Sequence, residues 1–475
     1  MSALPDGLFI IAKRDCPTCT LLAPVYEQLA GAEAPLTVYS QDDPSFPDGL
    51  AGVVDDRDLA HSYRLDIEIV PTLIRIEDGQ ETARTYGWDR TEWERVSGRS
   101  GLGADLPAMR PGCGSRTQDP GMAARLAVRF GNTGLTARQI RLAPEVDAIA
   151  ACQERGWTDG LPVVPPTGER VLAMLDGTPR APGDIVGVIP PDRIACTVEK
   201  VAINAVMAGC RPEYMPVVLT AIEAALEPNF GLHGIICTTN AVAPVIMVNG
   251  PLARAIGMNS KGNALGQGNQ ANASIGRAFQ LVMRNVGGGR PGEIDRAVFG
   301  NPGKYSFCFA EDEEDAHWES YAEEQGFSAQ ASTVTVFPGD GVAPIIEQDA
   351  RTPEPLIATY AACLRTLYHP GQVHDVSAFL VVSPEHAAVF HRAGWSKQQL
   401  KDALHQLLRV PIGEVVGGFA SQSRGGGRDL AGGTVPKFKT GTLNVIRAGG
   451  SAGLFSAIIS GLGSITINPV TREIT

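Results

Sequence analysis

The first apolar residues form a short unbroken run, Leu8–Ala12, of the kind a buried parallel strand presents. A helical spacing follows in "LLAPVYEQLAG", then a second strand at Leu36–Ser40, a helix in "RDLAHSYRL" and a third strand in "TLIRIE". The turn "DGQ", a return strand "ARTYG" and a helix "RTEWERVSG" close the series. The order βαβαββα predicts a small α/β sheet covered by helices. From Ser97 to about Arg116 the apolar period stops and Gly and Pro punctuate "SGRSGLGADLPAMRPGCGSR". That pattern predicts a first domain over 1–98, a Gly/Pro-rich linker over 99–116, and a larger mixed α/β region over 117–475, as one domain or a pair of subdomains.

In the larger region, "LTARQIRLAPEVDAIAACQERGW" has helical spacing, and Thr167 followed by Glu169 is a partial capping signal for the next helix. Cys196–Leu226 reads as two helices broken at "GCRPE". "YSFCFA" is strand-like, "SAFLVVS" is a buried strand, and "SPEHAAVFHRAG" is a helix capped by Ser383. Near the end, "LNVIRAGG" predicts a strand and "SAGLFSAIIS" a small-residue helix after a glycine turn.

Length and charge narrow the classes. A chain of 475 residues is too long for one ordinary core. A net charge of −12 argues against a nucleic-acid surface, which needs a basic patch. No run of about twenty apolar residues exists to span a bilayer. The apolar run near the N-terminus is too short for a signal sequence, so the expectation is a soluble, cytoplasmic protein. Nine scattered cysteines are an odd number, which suits free thiols better than a disulfide framework.

Among those cysteines, Cys16 and Cys19 in "DCPTCT" stand out, because a CxxC follows directly on a predicted strand and opens a helix. A cysteine over a helix N-terminus is stabilised as a thiolate by unpaired N–H groups. Cys16 is then the nucleophile and Cys19, one turn on, the resolving thiol. Lys13 and Arg14 favour the thiolate and Asp15 opposes it. A zinc half-site is the competing reading, but no second CxxC or HxxxH lies nearby to complete four ligands. A retained but idle motif is the third.

Residues 7–98 resemble the thioredoxin family in "CPTCTLLAP", with Pro24 five residues after Cys19, and in "VPTLIRIEDGQ". The resemblance implies a thioredoxin-like fold, a redox-active Cys16–Cys19 disulfide, a helix kinked at Pro24, and a cis-proline at Pro71 that packs beside the disulfide and helps bind a substrate chain. Asp15 stands where that family usually has Trp, and the Pro-Thr pair is closer to glutaredoxin usage. Both departures bear on potential and partner rather than on fold.

Cys113, between two glycines in the expected linker, is a candidate for reaching Cys16 as a redox relay. Cys210 precedes Arg211 in a loop, a setting for a low-pKa thiol, although most buried cysteines are inert. The densest polar stretch is Asn249–Gly289, where Asn259, Lys261, Asn263, Gln267 and Asn269 sit between glycines. So many amides suit a loop around a polar or anionic ligand, or else a long surface loop. The acidic run from Glu311 reads as a solvated face. Glu385 and His386 open the helix beyond a predicted parallel strand, a common site position. Arg424, in the Gly-rich end before the strand–glycine–helix pattern, is a candidate anion contact. No HExxH or comparable spacing supports a metal.

The leading expectation is a thiol-dependent oxidoreductase whose CxxC domain supplies or recycles electrons for a larger domain acting on a small polar substrate, with a thiol reductant or disulfide as partner. Two other readings stand beside it: a non-redox lyase or hydrolase carrying the first domain as a docking module, and a thiol-dependent chaperone or assembly factor.

Overall fold

Six consecutive residues, Gly7–Ala12 (β1), are all buried, because this strand lies in the middle of a sheet with both faces covered. The computed structural model describes residues 5–31, 34–314, 317–416, 433–463 and 467–475. It is a mixed α/β protein in two compact units, 1–133 and 134–475.

In the first unit β1 pairs in parallel with Leu36–Ser40 (β2), which pairs in parallel with Val54–Asp55 (β3). After a two-residue strand, Ile69–Val70 (β4), the chain returns antiparallel to β1 as Thr72–Glu77 (β5) and folds back as Gln80–Tyr86 (β6). The sheet order is therefore β3-β2-β1-β5-β6. Helix Pro17–Leu21 and helix Ala23–Ala30 follow β1, separated at Leu22 with Pro24 in the first turn of the second. Tyr26, Trp88 and Trp93 are almost wholly buried and fill the core with Leu8, Ile10 and Cys19.

The expected linker is a strap built into this unit. Trp88–Asp89 (β7) pairs with Met109–Arg110 (β8), and β4 pairs with Cys113–Gly114 (β9). The Trp88 indole donates to the Pro107 carbonyl at 2.6 Å, and Gln41 donates to Ser115 Oγ at 2.7 Å. Glycines and prolines look like a linker in sequence, but here they let a backbone lie flat on its neighbour. A Cβ on Gly112 would stand 2.5 Å from Ile69 Cγ2 and 2.8 Å from the Val70 carbonyl oxygen. The boundary falls after Thr133 rather than near Arg116.

The second unit begins with segments pinned by side chains. Only Ala148–Glu154 of the expected long helix is helical, since the Thr136 and Ala137 amides are taken by the Glu199 carboxylate at 2.9–3.1 Å. Thr167 precedes its helix without a side-chain cap bond. A hairpin, Ile185–Ile189 (β10) with Ile194–Thr197 (β11), leads to the two helices Val198–Ala208 and Met215–Ala225.

Four layers follow. Ala243–Asn249 (β12) pairs in parallel with Cys308–Ala310 (β13) and antiparallel with Thr333–Gly339 (β14). Next in chain order are Val342–Ile346 (β15), Val376–Val382 (β16), the short pair Arg409–Pro411 (β17) and Thr434–Pro436 (β18), Leu443–Arg447 (β19), Phe455–Leu462 (β20) and Val470–Glu473 (β21). The two main sheets run β13-β12-β14-β21 and β15-β20-β16-β19. Side chains alternate across β12 with period two. Ile246 and Val248 face the helix layer, whereas Val245 and Met247 face the second sheet. Phe337 and Phe379 stack across the two sheets at 3.8 Å. The second sheet's outer face carries helices Pro353–Arg365, Pro384–Arg392 and Lys397–Leu407. Gly461 allows the sheets to close, because a Cβ there would lie 2.1 Å from the Pro338 carbonyl oxygen.

The segment read as a helix, "SAGLFSAIIS", is instead the strand β20, central between β15 and β16. Two adjacent isoleucines, Ile458 and Ile459, fill opposite faces of that strand, and this tertiary demand overrides the helical preference of Ala and Leu. The expected strand–glycine–helix anion site therefore has no helix.

Candidate functional site

The CxxC is the best-formed cluster of reactive groups. Cys16 caps helix Pro17–Leu21, and its sulfur accepts from the Cys19 amide at 3.4 Å. Its thiol also lies 3.6 Å from the Val70 carbonyl oxygen, directly before Pro71, and the Val70–Pro71 peptide is cis. The Cys19 thiol holds Cys16 down, to a pKa of about 5, against the opposing effect of burial. The Cys113 thiol and the Cys19 and Thr18 amides add to the same effect. Cys19 moves the other way, raised first by burial and then by the Cys16 sulfur. These shifts assign the thiolate to Cys16 and the proton to Cys19.

The flanking charges act differently from their order in sequence. Asp15 is neutralised by Lys13 at 3.1 Å. Burial pulls Lys13 down, but its bond to Asp15 and the nearby Cys113 and Cys16 outweigh it. Arg14 turns away to Asp43 at 2.6 Å and Asp48 at 2.5 Å, so it contributes nothing direct to the thiolate. The helix under Cys16 has five residues, so local N–H groups rather than a long helix dipole stabilise the sulfur.

Cys113 is not on a loose linker. It pairs with Val70 across β4 and β9 and faces Cys16, which raises it after burial does. Cys16 itself is fully buried, while Cys113 is partly exposed. All nine cysteines are thiols.

Cys210 is not a low-pKa thiol. Burial pushes it up to about 12, and it donates to the Ser274 carbonyl at 3.3 Å.

The polar loop closes on itself. Asn259 accepts from the Lys261 amide at 2.9 Å, Asn263 donates to the Gln267 carbonyl, and Asn269 caps helix Gln270–Asn285 through the Asn272 amide at 3.0 Å. Asn263 adopts a left-handed φ of 61°. Gln267 is exposed. Lys261 is already paired with Asp312 at 2.7 Å and Glu314 at 2.8 Å. These amides order the loop's own turns rather than leaving an open cradle.

The start of the acidic run is not a solvated face, although Glu314 further along is exposed. Glu311 and Asp312 are buried where the carboxyl ends of β12, β13 and β19 converge. Asp312 meets Arg447 at 3.0 Å, and Glu311 accepts from Asn249 at 2.6 Å and the Tyr321 amide at 2.8 Å. Burial raises Glu311 in spite of Lys397 at 4.0 Å. Spacing missed this network because Asn249, Lys397 and Arg447 lie more than sixty residues away; a strand ending directly in carboxylates was the available signal.

Glu385 and His386 are both taken up in hydrogen bonds within the second unit. Glu385 accepts from the Leu454 amide at 2.7 Å. His386 is fully buried, with Ser456 Oγ at 2.8 Å from Nδ1 and the Glu347 carbonyl at 2.9 Å from Nε2. Both ring nitrogens are hydrogen-bonded to groups inside the protein, and the ring is closed off from solvent. Replacing His386 with Ala is expected to cost about 2–4 kcal/mol, from the cavity and the Glu347 carbonyl left unsatisfied. Denaturant unfolding of the second unit checks this. Arg424 lies outside the described residues.

A cleft of about 1000 Å³ opens in the second unit, lined among others by Glu319, Glu323, His374, Lys401, His405 and Lys439. None of its lining comes from the Asn249–Gly289 loop. Burial, ahead of Lys439, lowers His374. Among the described residues no three His, Cys, Asp or Glu side chains cluster as metal ligands, and no helix is long and apolar enough to cross a membrane.

No family model matches the chain, and no curated protein matches it significantly.

Proposed function

We propose that the protein is a thiol–disulfide oxidoreductase, with residues 7–98 as a thioredoxin-like domain, Cys16 as nucleophile and Cys19 as resolving thiol. The observation that carries this reading is the Cys16 sulfur, held as a thiolate by the Cys19 thiol and amide at the junction of β1 and its helix. The sheet order and the CxxC position support the thioredoxin-like assignment. In the reaction, the Cys16 thiolate attacks a partner disulfide and releases one partner thiolate. Cys19, once deprotonated, attacks Cys16 and releases the other, closing Cys16–Cys19. A thiolate held this low is a good leaving group, so the disulfide it forms is easily reduced. Pro71, following the Val70 carbonyl at the cluster, is proposed as a wall of the site where a partner chain lies.

In this reading the second unit acts on a small polar substrate. The cleft supports that role better than the polar loop does, because charges of both signs line it. The fusion of both units in one chain supports coupling between them, by raising the effective concentration of one for the other.

Two measurements on the full chain test the thiol chemistry. Thiolate ultraviolet absorbance should show a group titrating near pH 5 that Cys16→Ser removes. Glutathione redox buffers should interconvert the Cys16–Cys19 dithiol and disulfide. A Cys16 that titrates like an ordinary thiol and forms no reversible disulfide overturns the proposal.

A further inference from the structure

Cys16 is fully buried although it is the most acidic thiol of the cluster, and the strap Pro111–Cys113 adjoins it. Thr18 Oγ1 holds the strap by donating to the Pro111 carbonyl at 2.7 Å. Strand β9 sets Cys113 opposite Val70, the residue whose carbonyl Cys16 approaches. Gly112 packs so closely on Ile69 and Val70 that the register is tightly constrained. Three thiols from two segments, the helix start and the strap, therefore gather around Cys16.

The geometry points to Cys113 as a third redox thiol, which exchanges with Cys19 for Cys16 and latches the strap over the site as a Cys16–Cys113 disulfide. This inference rests on the reading of Cys16 as the reactive thiol. In the step, the Cys113 thiolate attacks the Cys16 sulfur of the Cys16–Cys19 disulfide. The Cys16–Cys113 bond forms while the Cys16–Cys19 bond breaks, its electron pair going to Cys19. Cys19 then takes up the proton that Cys113 lost. The exchange is isoelectronic, so no oxidant is consumed beyond the disulfide that first oxidised the pair.

Cys19 leaves as a buried thiolate that burial disfavours, so its prompt protonation completes the exchange. Cys19 is wholly enclosed at the helix start, whereas Cys113 is partly exposed and sits on the strap. A Cys16–Cys113 bond covalently closes the strap. Conversely, a Cys16–Cys19 bond removes the Cys16 thiolate that Cys113 faces and leaves the strap held by β9 pairing and the Thr18 bond.

The test is disulfide mapping by mass spectrometry on the full chain equilibrated with oxidised and reduced glutathione and quenched in acid. In Cys19→Ser, Cys16 should be found bonded to Cys113. Its glutathione adduct should decay at least tenfold faster than in Cys19→Ser/Cys113→Ala. A lasting Cys16–glutathione adduct with Cys113 free in folded Cys19→Ser overturns the inference. Because Cys19 is a core residue, the wild type serves as the second measurement: both Cys16–Cys19 and Cys16–Cys113 linkages should appear, the latter vanishing in Cys113→Ala. Finding Cys16–Cys19 alone at every glutathione ratio defeats the latch and leaves the proposed oxidoreductase standing. Finding no oxidation of Cys16 at all defeats both.

Discussion

Replacing Cys16 with Ser is expected to reduce thiol–disulfide exchange to the uncatalysed background, a loss on the order of 10³-fold or more, with about 1.4 kcal/mol of barrier for each tenfold. Serine keeps the cap position but offers no thiolate, so the group that attacks and later leaves is gone. Cys19→Ser should separate two steps, keeping attack by Cys16 and slowing release of the partner. The assay is reduction of a small disulfide or a disulfide-bonded protein by the full chain under a fixed thiol pool. Undiminished exchange in Cys16→Ser would mean that the CxxC is not the reacting pair and would favour a docking role for the first unit. The pH dependence has a definite sign. A thiol lowered from 9.0 to about 5 in the folded state adds stability that is fully present above pH 9 and is lost as pH falls from 9 towards 5. Cys16→Ser should flatten that part of the stability profile.

The second large effect belongs to the second unit. Asp312 is expected to be the most sensitive charge there, since its side chain is 0% exposed and it faces Arg447, which is 6% exposed. Asp312→Ala removes the carboxylate from a buried guanidinium, a change that costs about 3–5 kcal/mol in comparable buried pairs. Lys261→Ala takes away the other partner of Asp312, but that lysine is 45% exposed and its charge is screened by water, so about 0–1 kcal/mol is expected. Chemical denaturation followed by hydrogen exchange in β13 and β19 measures both, avoiding a two-state fit to a chain of two units. Equal effects for the two variants would show that Asp312 is not the centre of the network.

Much of the first unit was legible because its signals are local. The run Leu8–Ala12, the spacing of "TLIRIE" and the turn between β5 and β6 each specify an element within a few residues. The CxxC is equally local, since its chemistry needs only a strand end and the first turn of a helix. Cys113 was legible as a thiol within reach of Cys16, but on a mobile linker; that a strand pairing fixes it there depends on residues 70 and 113 meeting. The strap was misread for the same reason: glycine that frees a chain and glycine that lets it pack closely are written alike.

In the second unit the outcomes diverge further. The buried strand β16 and the Ser383 cap of the next helix follow from six apolar residues, interrupted only by Ser377, and one capping hydroxyl. Asp312 for Lys261, Lys397 for Glu311 and the Glu347 carbonyl for His386 lie 39 to 86 residues away, so Lys261, Glu311 and His386 each looked reactive or solvated until those partners were in place.

By itself the amino-acid order determined the early strands, the CxxC corner and the alternation that buries each sheet face, since these rest on backbone periodicity and turn chemistry. Only the tertiary structure decided which groups are charged, which are satisfied and which thiols meet. Those properties depend on desolvation and on distances of a few ångströms between segments far apart in the chain, and no local pattern encodes them.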